Sequence, residues 1–226
     1  MDSELKEEKK IKQEVGNLID KARIINFSDA VFAFAATLLV LKIDIPEIDA
    51  AQVSTQLGTV ILTLWPQYLA NIISFLVIGY YWLSHHAIFG MLKRYDSPLV
   101  WMNLVFLIFV SFIPFPVDLY GDYMNVPVVV VFYTTSLALV GYMLAIIWAY
   151  ASHNYRLVSN ELGEKQVHYY LARSLVAPVV FTLSIPLVYI HPLLAQLSWL
   201  FVILGVVVVN KIYKRKKISE IEKTSL

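Results

Sequence analysis

Six apolar stretches divide the chain, running approximately Asn26–Ile43, Gln56–Ser84, Pro98–Val117, Val126–Ser152, Tyr169–Ile190 and Pro192–Ile212. Each is near the length of about 20 predominantly apolar residues that a helix needs to cross the hydrocarbon of a bilayer. The second and fourth are longer and have length to spare for tilt or for projection into the interface. Pro98, Pro127 and Pro192 stand near predicted helix starts, where a missing N–H does no harm. Pro66, Pro178 and Pro186 fall inside the stretches and are expected to kink them, freeing carbonyls for neighbouring helices or water. The pattern predicts an all-α integral membrane protein with six transmembrane helices. Residues 1–25 read as a polar N-terminal extension, 26–212 as the membrane domain and 213–226 as a basic tail.

Composition sharpens this picture. Apolar types make up 58% of the 226 residues and charged types 15%, against roughly half and a quarter in soluble domains. There are no cysteines, which removes disulfides, thiol nucleophiles and thiolate metal sites. The Lys- and Glu-rich N-terminus suits a cytoplasmic extension better than a secretory signal.

Charge placement orients the spans. All but one of the 18 basic residues fall in the N-terminal extension, the second-to-third loop, the fourth-to-fifth region (Arg156, Lys165, Arg173) or the C-terminus, the exception being Lys42. The opposite loops hold Asp44, Glu47, Asp49, Asp118 and Asp122. By the positive-inside rule both termini are expected to be cytoplasmic, as an even number of spans requires. The Lys211–Lys217 run reads either as a stop-transfer cluster or as an anionic-lipid site.

Polar residues at membrane depth are costly, so they need partners and a reason. Ser28 and Asp29 sit in the first turn of the first span, Trp82, His85 and His86 at the end of the second, and Asn103 about one and a half turns into the third. Counting depth places them at one level of the bundle. They could form a hydrogen-bonded clamp holding the first helix on the second and third. A proton relay or metal site is the alternative. One Asp with two adjacent His has no metal-ligand spacing, and neighbours on a helix point about 100° apart, so at most one His faces Asp29. Arg23 reads as an interfacial anchor or as a donor to a helix-end carbonyl.

Helical spacing puts Ala30, Phe34, Thr37, Leu41 and Asp44 on one stripe of the first helix, and Asp29, Ala33, Ala36 and Val40 on a second face suited to close packing. If copies surround an axis, the first stripe would line a narrow pore, with apolar rings at Phe34 and Leu41, a hydroxyl ring at Thr37, and Asp44 and Glu47 concentrating cations at the outer mouth. Packing within the bundle or against lipid explains the same periodicity.

The motifs Arg23-x-x-x-Phe27-Ser28-Asp29, Tyr81-Trp82-Leu83-Ser84-His85-His86 and Trp101-x-Asn103 through Pro114-Phe115-Pro116 resemble, in order, those of the transmembrane protein 175 family of potassium channels. They cover the first three helices; the last three match in number and topology. The resemblance implies six helices per repeat, a pore lined by the first helix, no re-entrant selectivity-filter loop, and polar-motif partners among Trp82, His85, His86 and Asn103. A single repeat resembles the prokaryotic form, a homotetramer. In the family the residue five after the motif's Asp forms the tightest ring and is usually Ile or Leu; Phe34 is a departure. Thr37 matches a hydroxyl position associated with selectivity, and Leu41 a further apolar ring.

The expectation is therefore a potassium-selective channel of the plasma membrane, whose partners are further copies of itself, the lipid bilayer and monovalent cations, with K+ as permeant ion. No cofactor, metal or nucleic acid is expected. The rival is a proton-coupled secondary transporter that uses Asp29 and a His of the second helix. An enzyme is not expected, because no nucleophile–base arrangement or phosphate-binding Gly loop stands out among only eight glycines.

Overall fold

The computed structural model describes the backbone of residues 2–41, 43, 46–159 and 161–224, and the side chains of 21–41, 43, 46–159 and 161–213. Lys42 and Asp44 lie outside the described residues. So do the side chains of the lysines at 6, 9, 10 and 12 and of residues 214–217, on which part of the charge argument rests.

The described residues are helical apart from loops and a single antiparallel bridge between Leu92 and Val158. The helices are α1 (Asp2–Val40), α2 (Val53–Thr63), α3 (Trp65–Met91), α4 (Ser97–Phe112), α5 (Pro114–Asp122), α6 (Pro127–Ser152), α7 (Glu164–Val188), α8 (Pro192–Ser198) and α9 (Phe201–Thr224). Six segments are long and apolar enough to span a membrane: Lys21–Val40, Trp65–Met91, Ser97–Asp122, Pro127–Tyr155, Glu164–Val188 and Pro192–Tyr213. This is an all-α multi-pass membrane protein.

Three predicted spans differ in detail. The stretch read as Gln56–Ser84 is two helices that break at Leu64, and Pro66 opens the second rather than kinking a continuous one. The reason is local: a proline lacks the N–H and clashes with the preceding turn of a continuous helix, and it is best accommodated in a helix's first turn. The third span divides at Ile113, where Pro114 starts α5. The sixth divides between Ser198 and Phe201. Pro178 and Pro186, in contrast, lie within α7, which runs through both. Arg173, counted above with the basic loop residues, is inside α7 and not in a loop.

The core centres on α6. Its span is 56% buried, against 22% for the first span and 17% for the last. Tight packing on α6 depends on Gly141, where an added Cβ would stand 2.7 Å from Pro178 Cδ and 2.8 Å from the Tyr81 hydroxyl. That hydroxyl donates to the Leu137 carbonyl at 2.8 Å, tying α3 to α6. Tyr133 stacks on Tyr120 and hydrogen-bonds Ser74, linking α5, α6 and α3. The buried Trp148 donates from its indole to the Val167 carbonyl.

At the end of the bundle where α3 finishes and α4 begins, Asp96 caps α4 by accepting from Leu99 N at 3.0 Å. It also accepts from the Tyr150 hydroxyl at 2.6 Å and pairs with Arg156 at 3.2 Å. The Arg156 guanidinium lies over the Tyr150 ring. At the end of the fourth span the chain turns through Asn154 and Tyr155, both at positive φ (49° and 55°). Asn tolerates that region readily, whereas Tyr does so at a cost.

Candidate functional site

The first span has two faces. Ser28, Phe32, Ala35 and Leu39, spaced four, three and four residues apart, are buried against the chain's own helices. Arg23, Phe27, Ala30, Phe34, Thr37 and Leu41 follow the opposite stripe and are exposed. Phe34 is 63% exposed and Leu41 72%, so no side chain of the described residues covers this face. The packing face differs from the one expected. Ala33 and Val40 are exposed, and Asp29 and Ala36 sit at the boundary, because the buried stripe passes through residue 28 rather than 29.

Behind the buried face is a chain of polar contacts. The Ser28 hydroxyl donates to the Ile24 carbonyl at 2.9 Å and accepts from Asn103 Nδ2 at 3.0 Å. Asn103 Oδ1 lies 3.0 Å from His85 Nε2. An amide oxygen only accepts, so the imidazole proton is on Nε2. All three side chains are buried. Phe89 and Phe106 stack on the His85 ring, with centroids at 4.0 and 5.4 Å, and Phe32 adds a tilted contact.

Asp29 belongs to a separate contact. Its Oδ1 accepts from the Trp82 indole N–H at 2.8 Å, and His86 lies beside Trp82 with ring centroids 5.9 Å apart. The structure thus brings Ser28, Asn103 and His85 together and pairs Asp29 with Trp82. His85 hydrogen-bonds Asn103 and not Asp29, and His86 is exposed. The rival carrier pair of Asp29 with a His is therefore not in hydrogen-bond contact.

Arg23 is exposed. The helix-end carbonyls that it was expected to reach are taken by Lys21, whose ammonium donates to Leu92 O at 2.9 Å and Gly90 O at 3.3 Å. A cation there complements the negative end of α3 and fastens it to α1. Sequence reasoning missed this contact, and the signal available was a lysine two positions before the motif. Glu47 is exposed, as is all of α2 except its partly covered Val60.

The fold and this geometry define a class: a helical multi-pass membrane protein whose first helix is tied down on one side and bare on the other. Residues 23–114 match the family model described as endosomal/lysosomal potassium channel TMEM175. A potassium channel of Streptomyces collinus is 38% identical over 106 residues, 47% of this chain and 50% of the relative. One of Chamaesiphon minutus is 41% identical over 108 residues, 48% and 53% respectively. The crystal structure of a lysosomal potassium-selective channel TMEM175 homolog from Chamaesiphon minutus superposes with a TM-score of 0.72 at 28% identity, covering 84% of this chain and 98% of that one. Over residues 23–114 the chain is similar to the TMEM175 family. It spans about half the length of the curated relatives it matches.

Proposed function

We propose that the chain assembles as a homotetramer in the plasma membrane and forms a potassium-selective channel, with both termini cytoplasmic. Four copies of α1 surround the conduction path. Phe34 and Leu41 form apolar rings that gate by wetting and dewetting, and Thr37 supplies the hydroxyl ring between them. Glu47, together with Asp44, concentrates cations at the outer mouth. The Ser28–Asn103–His85 chain and the Asp29–Trp82 bond hold α1 at the spacing the path needs.

The observation that carries this reading is the bare stripe on α1, apolar except for Arg23 and Thr37, opposite a face fixed by four buried side chains. The two bacterial relatives described as potassium channels support the choice of ion.

Because the chain has no cysteine, single-cysteine variants report cleanly on what α1 faces. Ala30→Cys and Phe34→Cys should crosslink between subunits in proteoliposomes, and wild-type vesicles should pass potassium down its gradient without a proton gradient. Monomeric cysteine variants together with flux that depends on a proton gradient would overturn the proposal.

A further inference from the structure

A cavity lies between α3, α7 and the α8–α9 segment. It has a volume of ≈ 420 Å³ and is walled by α3, α7 and α8–α9, through residues such as Leu76, Val77, Phe181, Ile203 and Val207. Arg173 stands at one end and Gln196 with Trp199 at the other. Along α7 the distance from Arg173 to Phe181 is about 12 Å at 1.5 Å per residue.

Arg173 is the unusual member. It sits nine residues into α7 from Glu164, or about 13 Å along the helix axis. A charge at such depth needs a partner. Its Nη1 donates to the Tyr169 hydroxyl at 3.2 Å, and Tyr169 in turn donates to Asn210 Oδ1. No carboxylate of the described residues pairs with it, and its Nε is buried without an acceptor. A guanidinium has five donors in a planar fork that matches a phosphate; here the Tyr169 and Tyr80 hydroxyls engage part of it, and no anion of the described residues does. The exposed Lys211 follows Asn210 at the same end.

A long apolar groove with an under-partnered cation at its basic end complements one kind of molecule: an amphipathic anion with its charge at one tip. We propose that this groove is a site for an anionic phospholipid, one acyl chain lying between α3, α7 and α9 and the phosphate held by Arg173. The site is independent of ion conduction, so its test reads lipid retention and not flux.

The full-length protein is reconstituted in vesicles of equal parts phosphatidylcholine and phosphatidylglycerol, extracted, and examined by native mass spectrometry. Wild type should retain phosphatidylglycerol in preference to phosphatidylcholine. Arg173→Gln should reduce that preference about tenfold, the scale of one charge-assisted contact, and Arg173→Lys should keep part of it. Val207→Trp, on the exposed wall of the groove, should lower retention of both lipids with helicity unchanged. Equal retention of the two lipids by wild type, or an unaltered preference in Arg173→Gln, would overturn the assignment. So would displacement of phosphatidylglycerol by inorganic phosphate at equal concentration, which would mean that the arginine takes a free anion. Disulfide-linked dimers of Ile203→Cys in bilayers would put a second copy of the chain in the groove and overturn it as well.

Discussion

The indole N–H of Trp82 donates to Asp29 Oδ1 at 2.8 Å, bridging α3 to α1 at the border between the packed and bare faces of the first helix. One carboxylate oxygen is thereby turned back toward the scaffold and away from the bare stripe. Trp82→Phe keeps most of the ring and removes the donor. Interhelical hydrogen bonds in membrane proteins average about 0.6 kcal/mol and reach about 1.7, and the carboxylate places this one toward the upper figure. The variant should unfold earlier in detergent by about 1 kcal/mol, measured by denaturant titration of tryptophan-independent helicity. Asp29→Asn, which still accepts, should lose less. Equal losses in both would assign the effect to charge and not to the bond.

Asn103 serves two partners, Ser28 and His85. Asn103→Leu strands the His85 N–H in an apolar box, at a cost of about 1–3 kcal/mol; Ser28 keeps its bond to Ile24. His85 is already stacked on Phe89 and Phe106, so a phenyl ring suits the same space. The double variant Asn103→Leu with His85→Phe should be more stable than Asn103→Leu alone, with a coupling of about 0.5–3 kcal/mol. Strict additivity in thermal unfolding would show that the two side chains do not act through each other.

These contacts show what was readable in the chain and what was not. Depth is a linear quantity, so counting residues from the span ends placed Ser28, Trp82, His85 and Asn103 at one level. Azimuth depends on how neighbouring helices rotate, and that decided that His85 meets Asn103 while Trp82 takes Asp29. The same limit shifted the packing face of α1 by one residue, from Asp29 to Ser28. The Lys21 contact went unforeseen for a related reason, since a long basic side chain near a span end can face water or reach along a neighbouring helix. The breaks at Leu64 and Ile113 follow from proline chemistry, which a window of hydropathy averages away.

Gly141 is a point of close approach between α6, α7 and α3. A methyl there would meet Pro178 at 2.7 Å, and a proline ring within a helix has little freedom to yield. Gly141→Ala should destabilise the protein by about 1–3 kcal/mol, the usual range for overpacking. Gly58, where an added Cβ meets nothing within 4 Å, is the control, and Gly58→Ala should be neutral or slightly stabilising in the same melt.

Asp96 links stability to pH. Its partial burial would raise the carboxyl, but the bonds from Tyr150 and Leu99 N and the Arg156 charge outweigh that and hold it below the ordinary value of 3.8. A carboxylate depressed in the folded state contributes stability that is fully present above its unfolded value and is lost as pH falls through the folded one. The stability difference between wild type and Asp96→Asn should therefore be constant from neutral pH down to about the ordinary carboxylate range, then shrink in stronger acid. The asparagine of Asp96→Asn would still cap α4, so loss of the ion pair with Arg156 and of the charge that Tyr150 donates to sets the plateau at up to about 1 kcal/mol. A difference that changes between pH 7 and 5, in thermal unfolding followed by circular dichroism, would point to another titrating group.

In the proposed channel, Thr37 is the residue that bears on selectivity most directly. Its hydroxyl donates to the Phe34 carbonyl at 2.9 Å within α1, which commits the proton and leaves the oxygen lone pairs for an ion on the bare side. Thr37→Val preserves the β-branch and volume while removing that oxygen, so it separates hydroxyl chemistry from pore width. In proteoliposomes the variant should keep its cation flux but lose part of its preference for potassium over sodium. Thr37→Ser, which retains the oxygen, should remain closer to wild type. Phe34→Ala should raise flux of both ions by removing the bulkiest apolar ring, with a smaller effect on their ratio. If Thr37→Val and Phe34→Ala both leave flux and ion ratio unchanged, the bare face of α1 is not the conduction path.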